Sequence, residues 1–219
     1  MRSLLLTIFF AVSLFASPNS ILIKSASALD RFMALPEEQI PPKLLAKAQA
    51  IAIIPGLIRG GFIAGARYGK GVLLVRKGKA EWSDPIFIKL YGASIGWQIG
   101  LESIDVVLVF TDRRSIQKLL NGKITLAADV SLAVGLVGRN ASAGTDFRAE
   151  VYSYSRSMGA YIGIALAGAT IEVDYDYIVA FYNCDPQKIY LIIEGKCHKN
   201  NEFLRYLKHK LQEYSAWKG

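Results

Sequence analysis

Residues 50–76 combine the two residue types that bind phosphate groups, glycine and basic side chains, within an otherwise apolar segment. Glycines let a backbone approach an anion closely, and four cations accompany them: Arg59, Arg67, Lys70 and Arg76. A nucleotide-binding P-loop needs four residues between its glycines and a hydroxyl after its lysine, and residues 65–71 (GARYGKG) have neither. The dinucleotide fingerprint fails as well, because no βαβ unit follows. We therefore interpret the segment first as a bend between strands and second as a basic surface that contacts a membrane.

Side chains that could act as general acids, bases or nucleophiles are few. Both histidines, His198 and His209, lie near the C-terminus, so a Ser-His-Asp arrangement would have to form around a peripheral helix. Carboxylates fall mainly at predicted strand ends, where they are typical of turn caps and ion pairs, although a glycosidase-type pair stays open. We predict no catalytic residues and no enzymatic activity.

The two cysteines, Cys184 and Cys197, are close enough in sequence to close a short C-terminal loop with a disulfide. Unpaired or metal-binding thiols are the alternative. A zinc site takes about four ligands, and His198 beside Cys197 leaves too few. We predict the disulfide, no metal and no cofactor.

The first residues have the layout of a secretory signal, because Arg2 precedes an uncharged, mostly apolar run from Leu4 to Ala16. This run is too short to span a bilayer. We predict a signal peptide at residues 1–28, ending at the small residues Ala26 to Ala28, with cleavage near Ala16 as the alternative. The protein is then exported, periplasmic or extracellular, and peripheral to the membrane, in a compartment where a disulfide persists.

The formal net charge of +8 predicts an anionic partner, which could be lipid headgroups, nucleic acid or acidic polymers of the cell envelope. Nucleic acid is the least favoured of these. The basic residues are dispersed, the aromatic strands lack an RNA-binding signature, and export removes most nucleic acid from reach. We predict no nucleic-acid partner.

Helices are predicted at both ends of the chain. Prolines divide residues 29–50 into two short helices, the second of which starts near Pro42. Leu44 and Leu45 form an apolar stripe on this second helix, and it suits either a core or a membrane. The C-terminal residues 200–219 predict a basic amphipathic helix that docks on its own domain.

Three segments alternate large apolar residues with glycine, alanine or serine: residues 93–100, 129–138 and 161–169. Alternation with period two predicts strands that share one face of minimal side chains. Something must pack closely on that face, and a helix or the closure of a barrel is favoured over a ligand groove.

Between these segments the chain predicts three more elements: a buried strand at 103–112, a short helix at 113–122, and a strand with a solvated polar-aromatic face at 147–157. The fold class is therefore α+β, a single domain with an antiparallel β-sheet or partly closed β-barrel and flanking N- and C-terminal helices. The domain is assigned to residues 29–219, with its core at 40–183 and a helical extension at 184–219.

Successive blocks of the sequence resemble the SYLF domain, in the expected order and with the expected separations. The blocks are residues 40–76, 82–110, 120–139 (LNGKITLAADVSLAVGLVGR), 149–174 (AEVYSYSRSMGAYIGIALAGATIEVD) and 180–183 (AFYN). The sequence departs mildly at residues 126–129, where LAAD stands in place of the usual Gly-Ala-Asp.

The resemblance implies a lipid-binding module. Eukaryotic members attached to Src-homology-3 or FYVE modules bind phosphoinositide-rich membranes, the yeast adaptors also bind and bundle actin, and bacterial members are exported envelope proteins. We therefore expect peripheral binding to the surface of anionic phospholipid membranes. The alternative is a non-catalytic envelope scaffold or protein-interaction module with a protein partner in the envelope.

The predicted lipid-binding site has an electrostatic and an apolar part. Six basic side chains attract the anionic headgroups: Lys43, Lys47, Arg59, Arg67, Lys70 and Arg76. Leu44 and Leu45 insert shallowly into the bilayer. This mechanism requires that all of these side chains lie on one shared exterior surface.

Overall fold

The computed structural model describes residues 16–61, 64–79, 81–95, 100–137, 147–158 and 160–216. Its helices are α1 (Pro18–Met33), α2 (Pro42–Lys47), α3 (Arg113–Leu120), α4 (Tyr175–Tyr182), α5 (Ile189–Glu194) and α6 (Glu202–Ser215). Its strands are β1 (Ala50–Gly61), β2 (Ala64–Val75), β3 (Ile86–Ile95), β4 (Gly100–Phe110), β5 (Lys123–Thr125), β6 (Leu132–Val134), β7 (Val151–Ser157), β8 (Ala160–Tyr161) and β9 (Thr170–Val173). The α+β fold class and the single domain predicted from the sequence are confirmed.

The strands form one sheet in the order β5-β9-β3-β2-β1-β4-β7-β6, and β8 also pairs with β7. Every pair is antiparallel except β6 with β7, which is parallel. The two outermost strands, β5 and β6, follow each other in the chain with only residues 126–131 between them. This short connection holds the two edges close together, so the sheet is curled into a half-barrel.

Helices cover one face of the sheet, which we call the helical face. The Phe87 ring on β3 packs against Tyr177 and Phe181 of α4, with ring centroids 6.0 and 5.3 Å apart. Helix α6 docks on its own domain, as predicted, and the Trp82 indole N–H donates to Ser215 Oγ of this helix at 3.0 Å. The core lies between this helical layer and the sheet, and alternate residues of each strand point to the opposite face.

Helix α1 starts at Pro18 with Ser17 as its N-cap, earlier than the predicted domain boundary. Its first half contributes Leu22 and Ala26 to the core, both fully buried. The boundary at residue 28 therefore falls inside a helix whose buried face the domain needs. The signal peptide stays a prediction, because residues 1–15 lie outside the described part of the chain, and none of the described helices is long and apolar enough to cross a membrane.

Strand β1 contains an irregularity of its own, apart from the predicted bend between strands, which falls at residues 62–63 outside the described residues. The pairing of β1 with β2 shifts register between Ile53 and Ile58, and Gly56 adopts a positive φ of 64°. The Gly56 N–H donates to Asp105 Oδ1 at 3.0 Å. A Cβ at Gly71 on β2 would lie 2.1 Å from the Ile53 carbonyl oxygen, so only glycine allows the two backbones to approach here.

Two strand predictions were too long and one face was assigned wrongly. Of residues 129–137, the described part of the second segment, only β6 is a strand, and of residues 161–169 only Tyr161 belongs to one. Residues 96–99 of the third alternating segment lie outside the described residues. The predicted solvated face of residues 147–157 is wrong, because every residue of β7 is buried. The Tyr154 ring fits against Gly135, and its hydroxyl donates to the Leu136 carbonyl at 3.3 Å.

Residues 162–169, which we call the strap, cross the face of the sheet opposite the helices. The Ile162 N–H donates to the Ser155 carbonyl of β7 at 3.0 Å, and the Gly168 N–H donates to the Leu126 carbonyl just after β5 at 2.9 Å. A Cβ at Gly92 would lie 3.1 Å from Ala169 Cα. The close packing expected on a face of small residues is therefore provided by this strap rather than by a helix.

Candidate functional site

Arg76 lies at the end of β2, and its guanidinium is engaged in contacts within the protein. Its guanidinium donates to the carbonyls of Leu45, Ala48 and Lys79 at 2.5 to 2.8 Å and stacks on the Trp82 ring at 4.4 Å. Burial lowers its pKa below the ordinary arginine value. Arg76 thus ties α2 to the sheet, and its predicted role in lipid binding has no support from this geometry.

Lys70 is also neutralised within the protein. Its Nζ lies 2.9 Å from Asp174 Oδ2 and 3.6 Å from the centre of the Tyr177 ring. Desolvation lowers the pKa of Lys70, but attraction to Asp174 outweighs this effect, and the net pKa is raised. The predicted lipid contact of Lys70 has no support from this geometry, since its charge is already compensated by a buried carboxylate.

The structure also does not support the predicted apolar insertion by α2. Leu44 and Leu45 are fully buried in the core, so neither is available to a bilayer. Lys43 and Lys47 are exposed on the same helix. They lie next to the start of β1, whereas Arg59 is nine residues further along that strand, roughly 30 Å away at about 3.3 Å per residue. The six predicted cations therefore do not form one surface.

Arg59 and Arg67 are the two predicted cations that the fold brings together. They are direct partners across β1 and β2, and their side chains point to the strap side of the sheet. Arg67 is buried, and its guanidinium donates to the carbonyls of Ala93 at 2.7 Å and Ala165 at 3.0 Å. Desolvation, followed by repulsion from Arg59, lowers the pKa of Arg67. Arg67 is thus held by backbone dipoles without an ion pair to a carboxylate among the described residues.

Arg59 is half-buried, and within the described ranges it makes no hydrogen bond or ion pair. Glu102 is its direct partner on β4, yet no oxygen of Glu102 lies within ion-pair distance. Arg59 and Arg67 line a cavity of about 220 Å³, whose other walls are Leu57 and residues 162–165 of the strap. We call this cavity with its two guanidinium groups the arginine cleft.

The arginine cleft has the chemistry of an anion-binding site. Guanidinium groups stay charged at any physiological pH and match the geometry of carboxylate and phosphate oxygens. Gly163 forms one wall with a positive φ of 53°, which leaves the cleft free of a side chain at that point. The described residues that line the cleft contribute apolar groups, backbone and two cations but no carboxylate, so the cleft attracts negative charge.

The sequence identified both arginines but missed the strap that completes the cleft. Residues 161–169 alternate in size like a strand, but their burial does not follow the alternation: Leu166 and Ala169 are buried, whereas Ile162, Ala165 and Ala167 are exposed. Alternation in side-chain size therefore does not show that the backbone pairs as a strand. The positive φ at Gly163 and Gly168 ends regular pairing, and the glycines were the available signal.

The C-terminal disulfide prediction is confirmed, because Cys184 and Cys197 are bonded, with Cα atoms 6.5 Å apart. Beside this bond, His198 Nδ1 and Lys208 Nζ contact Asp84, at 2.5 and 2.7 Å. The Asp84 carboxylate is almost fully buried. These contacts attach the C-terminal extension to the start of β3, far along the chain from the arginine cleft.

Residues 91–214 match the family described as "Ysc84: Las17-binding protein actin regulator". SH3 domain-containing YSC84-like protein 1 of Xenopus laevis is 33% identical over 187 residues, which are 82% of this chain and 56% of that protein. The protein of the same name from Homo sapiens is 31% identical over 180 residues, 78% of this chain and 52% of that protein. Protein YSC84 of Saccharomyces cerevisiae is 32% identical over 160 residues, 70% of this chain and 34% of that protein. The chain thus spans about half the length of the vertebrate relatives.

Proposed function

Because the chain belongs to the Ysc84, or SYLF, family, we propose that it is a non-catalytic binding domain that associates peripherally with anionic phospholipid membranes. The contact is made by the arginine cleft at the hairpin end of the sheet. We define the hairpin end as residues 57–61, 65–69, 91–95 and 101–104, where β1–β2 and β3–β4 turn back. This assignment of the binding surface to the hairpin end replaces the six-cation surface predicted from the sequence.

The observation that supports the proposal is the pair of guanidinium groups that have no carboxylate partner in the described part of the chain. Taking a cation out of water is costly unless an opposite charge or hydrogen bonds compensate it. Backbone carbonyls compensate Arg67 in part, and Arg59 beside it adds like charge. A lipid phosphate oxygen placed between the two side chains would complete their hydrogen bonds and offset their repulsion.

Export is part of the same proposal. The disulfide between Cys184 and Cys197 suits an oxidising compartment outside the cytosol. The net charge of +8 suits attraction to an anionic membrane surface in that compartment.

Vesicle co-sedimentation tests the proposal, with vesicles of phosphatidylcholine alone and with about one third phosphatidylserine. Wild-type protein is expected to sediment with the anionic vesicles and not with the neutral ones. Arg59→Glu reverses one charge at the cleft, which at about 1 kcal/mol per unit charge predicts roughly thirtyfold weaker binding. Lys43→Glu makes the same charge change at the exposed α2 position and is expected to have a much smaller effect.

Equal loss of binding in both variants would indicate general attraction to the whole charged molecule. A larger loss for Lys43→Glu would place the contact at α2 and contradict the cleft. Melting curves of both variants serve as the folding control, because neither side chain makes an ion pair among the described residues.

A protein-interaction module is the second candidate, and the family description favours it. That description names a Las17-binding actin regulator, and the relatives are SH3 domain-containing proteins by name. Under this alternative the chain binds a protein of the actin-regulating kind without lipid. Co-sedimentation with actin filaments in the absence of vesicles tests it, and binding to filaments but not to anionic vesicles would favour this second function.

A further inference from the structure

Three large side chains at the hairpin end are exposed on the helical face, beyond the reach of the helices. Ile58 is 45% exposed, Tyr68 is 48% exposed and Leu101 is 84% exposed. The same face is covered by α1 and α4 further down the strands, where its apolar residues are fully buried. The helical layer therefore ends before the sheet does.

The strand register makes these three side chains one patch. Ile58 and Tyr68 are direct partners across β1 and β2. Leu101 is the partner of Gly60, which places it one pleat further toward the hairpin connection and diagonal to Ile58. The adjoining positions Ala66 and Ala93 are exposed and small, so these neighbours, among the residues that the structure describes, do not shield Leu101. We call Ile58, Tyr68 and Leu101 the apolar tip.

We propose that the apolar tip inserts into the interfacial layer of an anionic bilayer while the arginine cleft contacts headgroups. This inference rests on the proposed function and adds how the domain is anchored and oriented. Successive residues of a strand point to opposite faces, so Ile58 and Arg59 reach the same membrane from the two sides of one hairpin. Apolar side chains with adjacent cations match the acyl and headgroup layers, and tyrosine is favoured at that boundary.

A lipid surface fits the apolar tip better than a second protein molecule does. Three exposed side chains offer far less than the roughly 800 Å² per partner that a stable protein interface buries. A bilayer needs no matching shape, and shallow insertion gains free energy from each apolar group that leaves water. The neighbouring Arg59 and Arg67 lack a carboxylate partner among the described residues. They complement the charge of an anionic bilayer, whereas a neutral apolar partner would offer them no opposite charge.

Salt separates the two kinds of contact, because ions screen the arginines and leave apolar insertion intact. Binding to vesicles with about one third phosphatidylserine is measured at about 0.1 M and about 0.5 M NaCl. Wild-type protein is expected to keep a salt-resistant bound fraction. Leu101→Asp is expected to lower that fraction about tenfold and to change binding less at low salt. Leu136→Asp, at a 56% exposed leucine outside the hairpin end, is the matched control and is expected to behave as wild type.

The outcomes distinguish a failure of apolar insertion from a failure of headgroup binding by the arginine cleft. Equal binding by Leu101→Asp and Leu136→Asp at high salt overturns insertion, while a loss in Arg59→Glu still supports the cleft. No binding of wild-type protein to any vesicle overturns both. A wild-type dimer in light scattering that Leu101→Asp dissociates would identify a second copy of the chain as the occupant, and insertion would be wrong. Leu101→Ala, with melting curves, shows whether an observed loss comes from misfolding.

Discussion

The two ends of the β1–β2 pair use basic residues in opposite ways. At the helix-covered end, Lys70 and Arg76 are neutralised by Asp174 and by backbone carbonyls, and they hold helices against the sheet. At the hairpin end, Arg59 and Arg67 share a cleft without a carboxylate partner among the described residues. Basic residues in one short segment can therefore serve structure at one end and ligand binding at the other.

The difference follows from what lies over each end. The N-cap of α4 brings the Asp174 carboxylate to Lys70, and α2 with its C-cap brings backbone carbonyls to Arg76, so both charges are compensated when the protein folds. The strap brings only backbone carbonyls and small or apolar side chains to the cleft. Substitutions at the covered end should therefore change stability, and those at the hairpin end should change binding.

The largest expected effect on stability is that of Lys70→Met. Removing Lys70 leaves the buried Asp174 carboxylate unpaired, which costs about 4 kcal/mol of unfolding free energy. The double variant Lys70→Met with Asp174→Asn removes the orphaned charge and keeps an oxygen that can cap α4, so it should recover most of the loss. Urea denaturation measures all three proteins. Equal stability of the single and double variants would contradict the buried pair.

Gly71→Ala should also destabilise the covered end. The new Cβ would lie 2.1 Å from the Ile53 carbonyl oxygen, and moving the two backbones apart should cost about 2 to 3 kcal/mol. Gly78→Ala is the matched control, because its nearest atom, in Glu81, lies 3.9 Å away at an ordinary contact distance. Thermal melting compares the variants, and similar melting temperatures would show that the bend in β1 tolerates a side chain.

A smaller effect is expected from Tyr91→Phe on the helical face. Hydrogen bonds from Tyr91 and then Lys89 lower the pKa of Glu172. A depressed carboxyl pKa contributes stability above the unfolded value of about 4.3, and that contribution is lost as pH falls through the folded pKa. Removing the Tyr91 hydroxyl should lower the free energy of unfolding by about 1 kcal/mol at pH 7.

The control for Tyr91→Phe is pH itself. The difference in unfolding free energy between wild type and variant should become smaller in acid, once Glu172 is protonated in both proteins. A difference that is the same at neutral and acidic pH would show that the hydroxyl acts through packing. The arginines of the cleft do not titrate in this range, so vesicle binding should not follow the same profile.

Sequence periodicity was sufficient to predict a helix or strand where the element buries one regular apolar face or run. The strand at β4, the short helix α3 and the docked amphipathic helix α6 were all predicted. The disulfide followed from two cysteines at short spacing. Family resemblance added the identity of the domain, which periodicity alone does not provide.

The site was predicted less well, because exposure depends on contacts that are distant in the sequence. Leu44 and Leu45 looked equally suited to a core or a membrane, and helix α6, more than 150 residues later, packs near them. Nothing in the sequence indicates that Lys70 is paired, because its partner Asp174 lies about 100 residues later and reaches it only in the folded protein. Pairing of a charge is a tertiary property, so a list of basic residues overstates the binding surface.

Amide hydrogen–deuterium exchange with and without anionic vesicles tests most directly whether the two ends differ in this way. Protection on vesicle binding is expected in residues 57–69 and 91–104 and in the strap, with α2 and α6 unchanged. Protection confined to α2, where Lys43 and Lys47 are exposed, would contradict the assignment of binding to the hairpin end.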